Sequence, residues 1–330
     1  MAAGAVRASW IYEYMGTPSL GTGAPQTNHI DDLAAIGINT VLVKMLISEP
    51  TPLQLRYWKE LSARAAAHNM TAWPIYNYQN SALLNRYRSP DRGYFPTATT
   101  TASTIGPVVA CPNDPVYLRA LLTGACTRMP ETDRMALDGE FPTSPGGFHA
   151  YVNPCHCLPC RLEWWRSVNC PGGHCTIDPT TIVLPDDATL LAFQQTLHTS
   201  RVATFAHQAR YTYASITDNQ AGDGFTQARA AGLVAAGKQV TVWSELTYAS
   251  GGPATQNYAG ATVIGGLWLE KWSSASLTTQ INNMGATGYF IFTSFSFWLG
   301  QTAVNTQPPP YDLPLDTIAA YQAALTAVNT

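Results

Sequence analysis

The chain of 330 residues is 46% hydrophobic and 12% charged, which provides for an ample core and excludes a disordered polypeptide. Its formal charge of −3 and the lack of any Lys/Arg run leave no basic field for a phosphate backbone, so nucleic acid is disfavoured as a partner. No stretch reaches the roughly 18 uninterrupted apolar residues of a membrane span, which argues against a membrane partner.

From Arg7, RASWIYEYMG alternates as a strand, with Trp10, Tyr12 and Tyr14 on one side and Ile11 and Glu13 on the other. A loop follows. Ile30, Leu33, Ala34 and Ile36 then recur at helical spacing behind Thr27 or Asn28 as cap, and Gly37 stops the helix. Ile38 to Leu46 is a nearly continuous apolar run of the kind buried on both faces of a parallel sheet. The unit repeats. Thr51-Pro52 opens a helix through Leu55, Trp58, Leu61 and Ala65 that Asn69 closes, and Thr71 to Tyr78 is a third strand in spite of Pro74. The segment 79–110 has no periodicity, and loops of that length in compact domains are usually functional, here as one wall of a cleft.

Asn113-Asp114-Pro115 caps a helix from Val116 to Cys126, which feeds a short apolar strand, Met135 to Leu137, ending on Asp138 and Glu140. LEWWRSV and the long stretch from Asp186 to Ile216 read as helical, with Asp186 or Asp187 as cap of the second. Ala228 to Ala236 is another helix, stopped by Gly237. Three strands follow at Lys238 to Ala249, Val263 to Trp272 and Gly288 to Trp298, with helices at Leu277 to Met284 and Leu315 to Val328. The tally is seven strands, one short of closure, the eighth hiding between Phe141 and Gly237 unless the barrel is irregular. The expected class is α/β, a (β/α)8 TIM-like barrel forming a single catalytic domain over 1–330, with long loops at 79–110 and 141–186.

Chemistry in such folds sits at the carboxyl ends of the strands, and three of these ends carry a glutamate: Glu140, Glu245 and Glu270. Glycosidic cleavage calls for two carboxyl groups flanking the anomeric carbon, one protonated and one ionised. Asp138, on the same side of its strand as Glu140, raises the proton affinity of Glu140 by like-charge repulsion, which suits a general acid. Glu270 or Glu245 is then nucleophile or base; the bland alternatives are a local pairing of Glu270 that involves Lys271 and a loop hydrogen bond from Glu245. Aromatic rings stack on sugar faces. Trp10, Tyr12, Tyr76, Trp243, Trp268, Trp272 and Trp298 are the candidate platforms, with Glu13 and Asn77 as polar substrate-binding candidates. No Gly-x-Ser-x-Gly elbow, phosphate loop or dinucleotide fingerprint is present, so no organic cofactor is expected.

Cys155, Cys157 and Cys160 crowd within six residues, placed poorly to bridge one another and well to face one metal. Cys111 can complete a tetrahedral structural zinc site, with disulfides or free thiols as the alternatives. Cys170 and Cys175, bracketing PGGH, suit a small disulfide in an oxidising compartment. The N-terminal MAAGAVRASW has no apolar run of signal-peptide length, which leaves a cytoplasmic protein, a virion component, or a secreted one whose leader has been removed.

Cys111, the LDGE ending at Glu140, and CHCLPC followed by RLEWW resemble the family 42 β-galactosidases and related uncharacterised barrel hydrolases. That resemblance spans roughly residues 107–166 and implies zinc on the four cysteines, Glu140 as acid/base and a nucleophile on strand seven, where Glu270 falls if one strand was overlooked. Where the family has Asn before the acid, this chain has Gly139. Asp138-x-Glu140 is also a pattern of chitinase and lysozyme barrels, so a muramidase-like hydrolase is one rival reading and a catalytically silent carbohydrate-binding barrel, viral or on a cell surface, is another. Carbohydrate is the expected partner in each; oligomeric state is not legible.

Overall fold

Eight strands alternate with helices. In the computed structural model the described residues are 5–11, 29–45, 52–77, 93–95, 110–128, 132–138, 153–173, 175–176, 178, 181–218, 224–292 and 315–329. The first half runs β1 (Val6–Ile11), α1 (His29–Ala35), β2 (Thr40–Met45), α2 (Pro52–Ala67), β3 (Thr71–Asn77), α3 (Pro115–Arg128) and β4 (Arg134–Asp138). Two helices follow, α4 (Leu158–Asn169) and α5 (Asp187–His207), before β5 (Tyr213–Asp218), α6 (Gly224–Ala235) and β6 (Gln239–Ser244). The chain ends with β7 (Ala261–Trp268), α7 (Ser274–Asn283), β8 (Gly288–Phe292) and α8 (Ile318–Asn329). The strands form one closed parallel barrel in sequence order, β8 returning to pair with β1. The (β/α)8 expectation is borne out.

The missing strand is β5. The stretch expected to be helical from Asp186 to Ile216 divides: α5 ends at His207, Gln208 caps it, and Tyr213 begins a strand paired with β4 and β6. Elsewhere the punctuation holds. Asn69, Gly37 and Gly237 all take positive φ where α2, α1 and α6 stop, and Pro74 stays within β3 opposite Val43.

Alternation along the strands sorts the core into two bodies. On β4, Ala136 joins an interior cluster with Trp10, Leu42, Trp73, Trp243 and Phe290, while Met135 and Leu137 face the helices. Bulky rings thus fill the inside of the barrel, which is a packed core and not a pore. The helices bury the apolar outer face, as α/β layering requires.

Candidate active site

β4 delivers Asp138 to the carboxyl-terminal mouth with no exposed surface, and Thr217 Oγ1 from β5 donates to Asp138 Oδ1 at 3.1 Å. The next β5 residue, Asp218, is also buried, and its Oδ2 accepts from the Tyr258 hydroxyl at 2.5 Å. Glu140 lies outside the described residues, as do Tyr12, Glu13 and Trp298.

After β6 the chain enters a single 3-10 turn, Glu245–Thr247, with Glu245 half-buried. The turn is clasped to β7: Thr247 Oγ1 donates to the Gly266 carbonyl at 2.7 Å and accepts from the Gly266 N–H at 2.8 Å. β7 itself runs into a second such turn, Leu269–Lys271, in which Glu270 is 4% exposed. Lys271 holds its ammonium 5.0 Å over the Trp268 ring. On α8, burial pushes the Tyr321 hydroxyl above its ordinary pKa and the negative charges of Asp316 and Glu270 add to this, so the Glu270 carboxylate is within electrostatic reach of that helix.

Several expected platforms are placed otherwise. Trp10 and Trp243 are each 1% exposed and fill the barrel interior, Trp10 edge-on to Phe292 at 5.8 Å and Trp243 edge-on to Phe290 at 5.7 Å. Tyr76 has the outward parity of β3 and packs among the helix-facing residues, and Trp272 rests on the same outer cluster with its indole N–H donating to the Tyr248 carbonyl at 2.9 Å. Trp10, Trp243 and Tyr76 are buried within the fold, and Trp272 is half-buried against it. Trp268 is half-buried beside Tyr248 and Phe292, and the last two stack with centroids 5.3 Å apart. Asn77 ends β3 in register with Asp138. Tyr248, the residue after the 3-10 turn, and Phe292, the last residue of β8, stand beside Trp268 although neither is an expected platform.

The four cysteines converge. The sulfurs of Cys111, Cys155, Cys157 and Cys160 all lie within 4.8 Å of one another and all four residues are buried. Zn–S bonds of about 2.3 Å in a tetrahedron set sulfur–sulfur spacings of about 3.8 Å. The Cys111–Cys160 separation of 3.4 Å and the 4.8 Å limit bracket that value. Burial, reinforced by the neighbouring thiols, pushes the Cys111 thiol up, and a cation among the four sulfurs would favour its thiolate. The surroundings are fixed from α5: Gln194 accepts from Cys155 N–H at 2.8 Å and donates to the Cys155 carbonyl at 2.7 Å, and His198 Nδ1 meets the Pro112 carbonyl at 2.9 Å. Such a cluster can hold a metal ion and would tie the segment before α3 to the start of α4. Cys170 and Cys175 are joined by a disulfide.

No protein-family model and no curated protein matches the chain. Among solved structures, a polyextremophilic β-galactosidase from the Antarctic haloarchaeon Halorubrum lacusprofundi matches 98% of this chain with a TM-score of 0.56 at 12% identity, and the chain spans 57% of that protein. The likeness is one of fold. A GH5-4 broad-specificity endoglucanase from Clostridium longisporum matches 94% of this chain and 88% of its own at 8% identity and a TM-score of 0.45. A structure of the pneumococcal virulence factor StrH matches 98% and 82% at 9% identity and a TM-score of 0.47.

The barrel therefore brings Asp138, Glu245 and Glu270 to the ends of β4, β6 and β7, at the mouth where (β/α)8 barrels carry their chemistry. Two of these carboxyl groups are almost wholly buried. Acidic side chains are seldom buried without a partner or a task.

Proposed function

We propose that the chain is a glycoside hydrolase acting on an oligo- or polysaccharide, with Glu140 as general acid/base and Glu270 as nucleophile or base, Glu245 being the rival for the second role. The observation that carries the reading is the burial of Glu270 directly after β7, at the same mouth where Asp138 ends β4 two residues before Glu140. In this reading Glu140 protonates the leaving oxygen while Glu270 meets the anomeric carbon or activates water against it, and Asp138 keeps the Glu140 proton in place. Trp268, with Tyr248 and Phe292 beside it, is the proposed sugar platform. The superposed haloarchaeal barrel is a β-galactosidase, which is in keeping with the reaction class and says nothing of the sugar.

Zinc is the proposed occupant of the four-cysteine cluster. Four thiolates close the coordination shell, so its contribution would be structural: it would hold the segment after β4, which carries Glu140, against the segment before α3. The test is hydrolysis of a glycan panel by the full chain and by Glu140→Gln, Glu245→Gln and Glu270→Gln. Loss of turnover in Glu140→Gln and in one of the other two is expected; hydrolysis left intact by all three changes would sink the reading.

A further inference from the structure

The opposite end of the barrel holds a cavity of about 470 Å3 that the glycosidase reading does not use. Its volume falls in the range of small-molecule sites and exceeds the needs of a lone inorganic ion. Thr40 and Thr71 face it from β2 and β3, and Thr241 and Thr262 from β6 and β7. The register pairs Thr40 with Thr71 and Thr241 with Thr262, so two pairs of hydroxyl-bearing residues stand on opposite sides of the closed barrel.

Arg134, the first residue of β4, lines the same space. Its guanidinium carbon is 3.9 Å from the Tyr213 ring centroid and 5.2 Å from that of Trp73. Stacking occupies the flat faces of a guanidinium and leaves its in-plane N–H edges to an acceptor. Asp133 Oδ1 stands 3.7 Å away, beyond hydrogen-bonding range, and its own side chain is 58% exposed. Among the described residues the guanidinium donates no hydrogen bond; only the backbone of Arg134 does so.

A second observation points the same way. Trp243 also lines the cavity, is 1% exposed, and its indole Nε1 meets no acceptor among the described residues. Ser215, paired with Thr241 across β5 and β6, is fully buried with its hydroxyl likewise unmatched. Native folds seldom leave buried donors unsatisfied. The Trp243 indole borders a cavity whose described lining includes Arg134 and Lys238 and no carboxylate, and Ser215 lies one strand from it beside Thr241.

We propose that this amino-terminal mouth binds a small organic anion, its carboxylate or phosphate group taking the in-plane edge of Arg134 and its body filling the space between the threonine pairs. A planar fork of donors matches either oxyanion bidentately. The site is independent of the glycosidase chemistry at the other mouth.

Calorimetry on the full chain, at constant ionic strength, tests this with benzoate and phenyl phosphate as probes and benzyl alcohol as the neutral control. Saturable one-to-one binding of at least one anion is expected, and whichever binds decides between carboxylate and phosphate. Arg134→Gln should weaken it by about tenfold or more, roughly the value of one charge-assisted bond. Thr262→Phe, at an exposed lining position, fills the cavity with Arg134 untouched and should do the same. No saturable binding of either anion, equal binding of benzyl alcohol, or undiminished binding in Thr262→Phe overturns the proposal, and the last of these decides even if Arg134→Gln does not fold.

Discussion

Gly288 opens β8 at φ +114, and a Cβ built on it would lie 1.8 Å from the Val6 carbonyl oxygen. The obstacle is backbone in the strand that closes the barrel, so no rotamer change relieves it. Gly288→Ala is expected to cost on the order of 3 kcal/mol or more, or to abolish soluble protein, as read from the denaturation midpoint. Asp138 presents the opposite case, a side chain that the fold accommodates and the chemistry needs. With Thr217 its hydrogen-bond donor, Asp138→Asn should lower turnover of a responsive glycan by about 10²-fold, and Thr217→Val by clearly less. Equal activity in wild type and Asp138→Asn would reduce Asp138 to a packing residue. The strand-end acids were legible because a carboxylate following an apolar strand is conspicuous in sequence. The aromatic platforms were not. Trp10 and Trp243 have the inward parity expected of mouth residues, and parity does not distinguish the filled interior of a barrel from its rim.

At the scale of elements, α5 is the organiser of the cysteine cluster. Asp186 caps it by accepting from Thr189 N–H at 2.9 Å, and its buried Gln194 and His198 then reach the backbone beside Cys155 and Cys111. Metal removal by a strong chelator under reducing conditions should therefore lower the melting temperature, with about one zinc released per chain by elemental analysis. Unchanged melting and no metal in the purified protein would show the thiols to be free. His198 adds a pH dependence. Burial chiefly, and the positive charges of Arg229 and Arg201, hold its pKa well below the ordinary value, while its bond to the Pro112 carbonyl opposes them. A folded pKa below the unfolded one, about 6.5, means that the unfolded chain binds the proton more readily. Stability is thus full above about pH 6.5 and falls as the pH drops toward the folded value. His198→Gln should flatten the decline of the melting temperature between about pH 7 and pH 5. The same region shows where sequence reading stopped. β5 carries Tyr213, Ser215 and Thr217 inward and only Ala214 and Ile216 as apolar outward residues, so it lacks the continuous apolar run that announced β2. The helical face of α5 simply ran on into it.

For the whole molecule, closure of the sheet separates two ends with different demands. The carboxyl mouth gathers buried acids whose desolvation is a cost that packing elsewhere must offset, and the described lining of the amino-mouth cavity carries Arg134 and Lys238 and no carboxylate. If Glu270 is held at its 4% exposure for chemistry, the fold bears its burial without profiting from it. Glu270→Gln removes the charge, keeps the shape, and should leave the melting temperature unchanged or raised while turnover drops by about 10² to 10⁴-fold. A structural ion pair gives the opposite signature: removing one partner of a buried pair strands the other and costs about 3–5 kcal/mol. Thermal melting and turnover measured on the same Glu270→Gln preparation distinguish the two. A melting temperature several degrees lower, with hydrolysis retained, would reassign Glu270 to the framework and leave Glu245 as the candidate partner of Glu140.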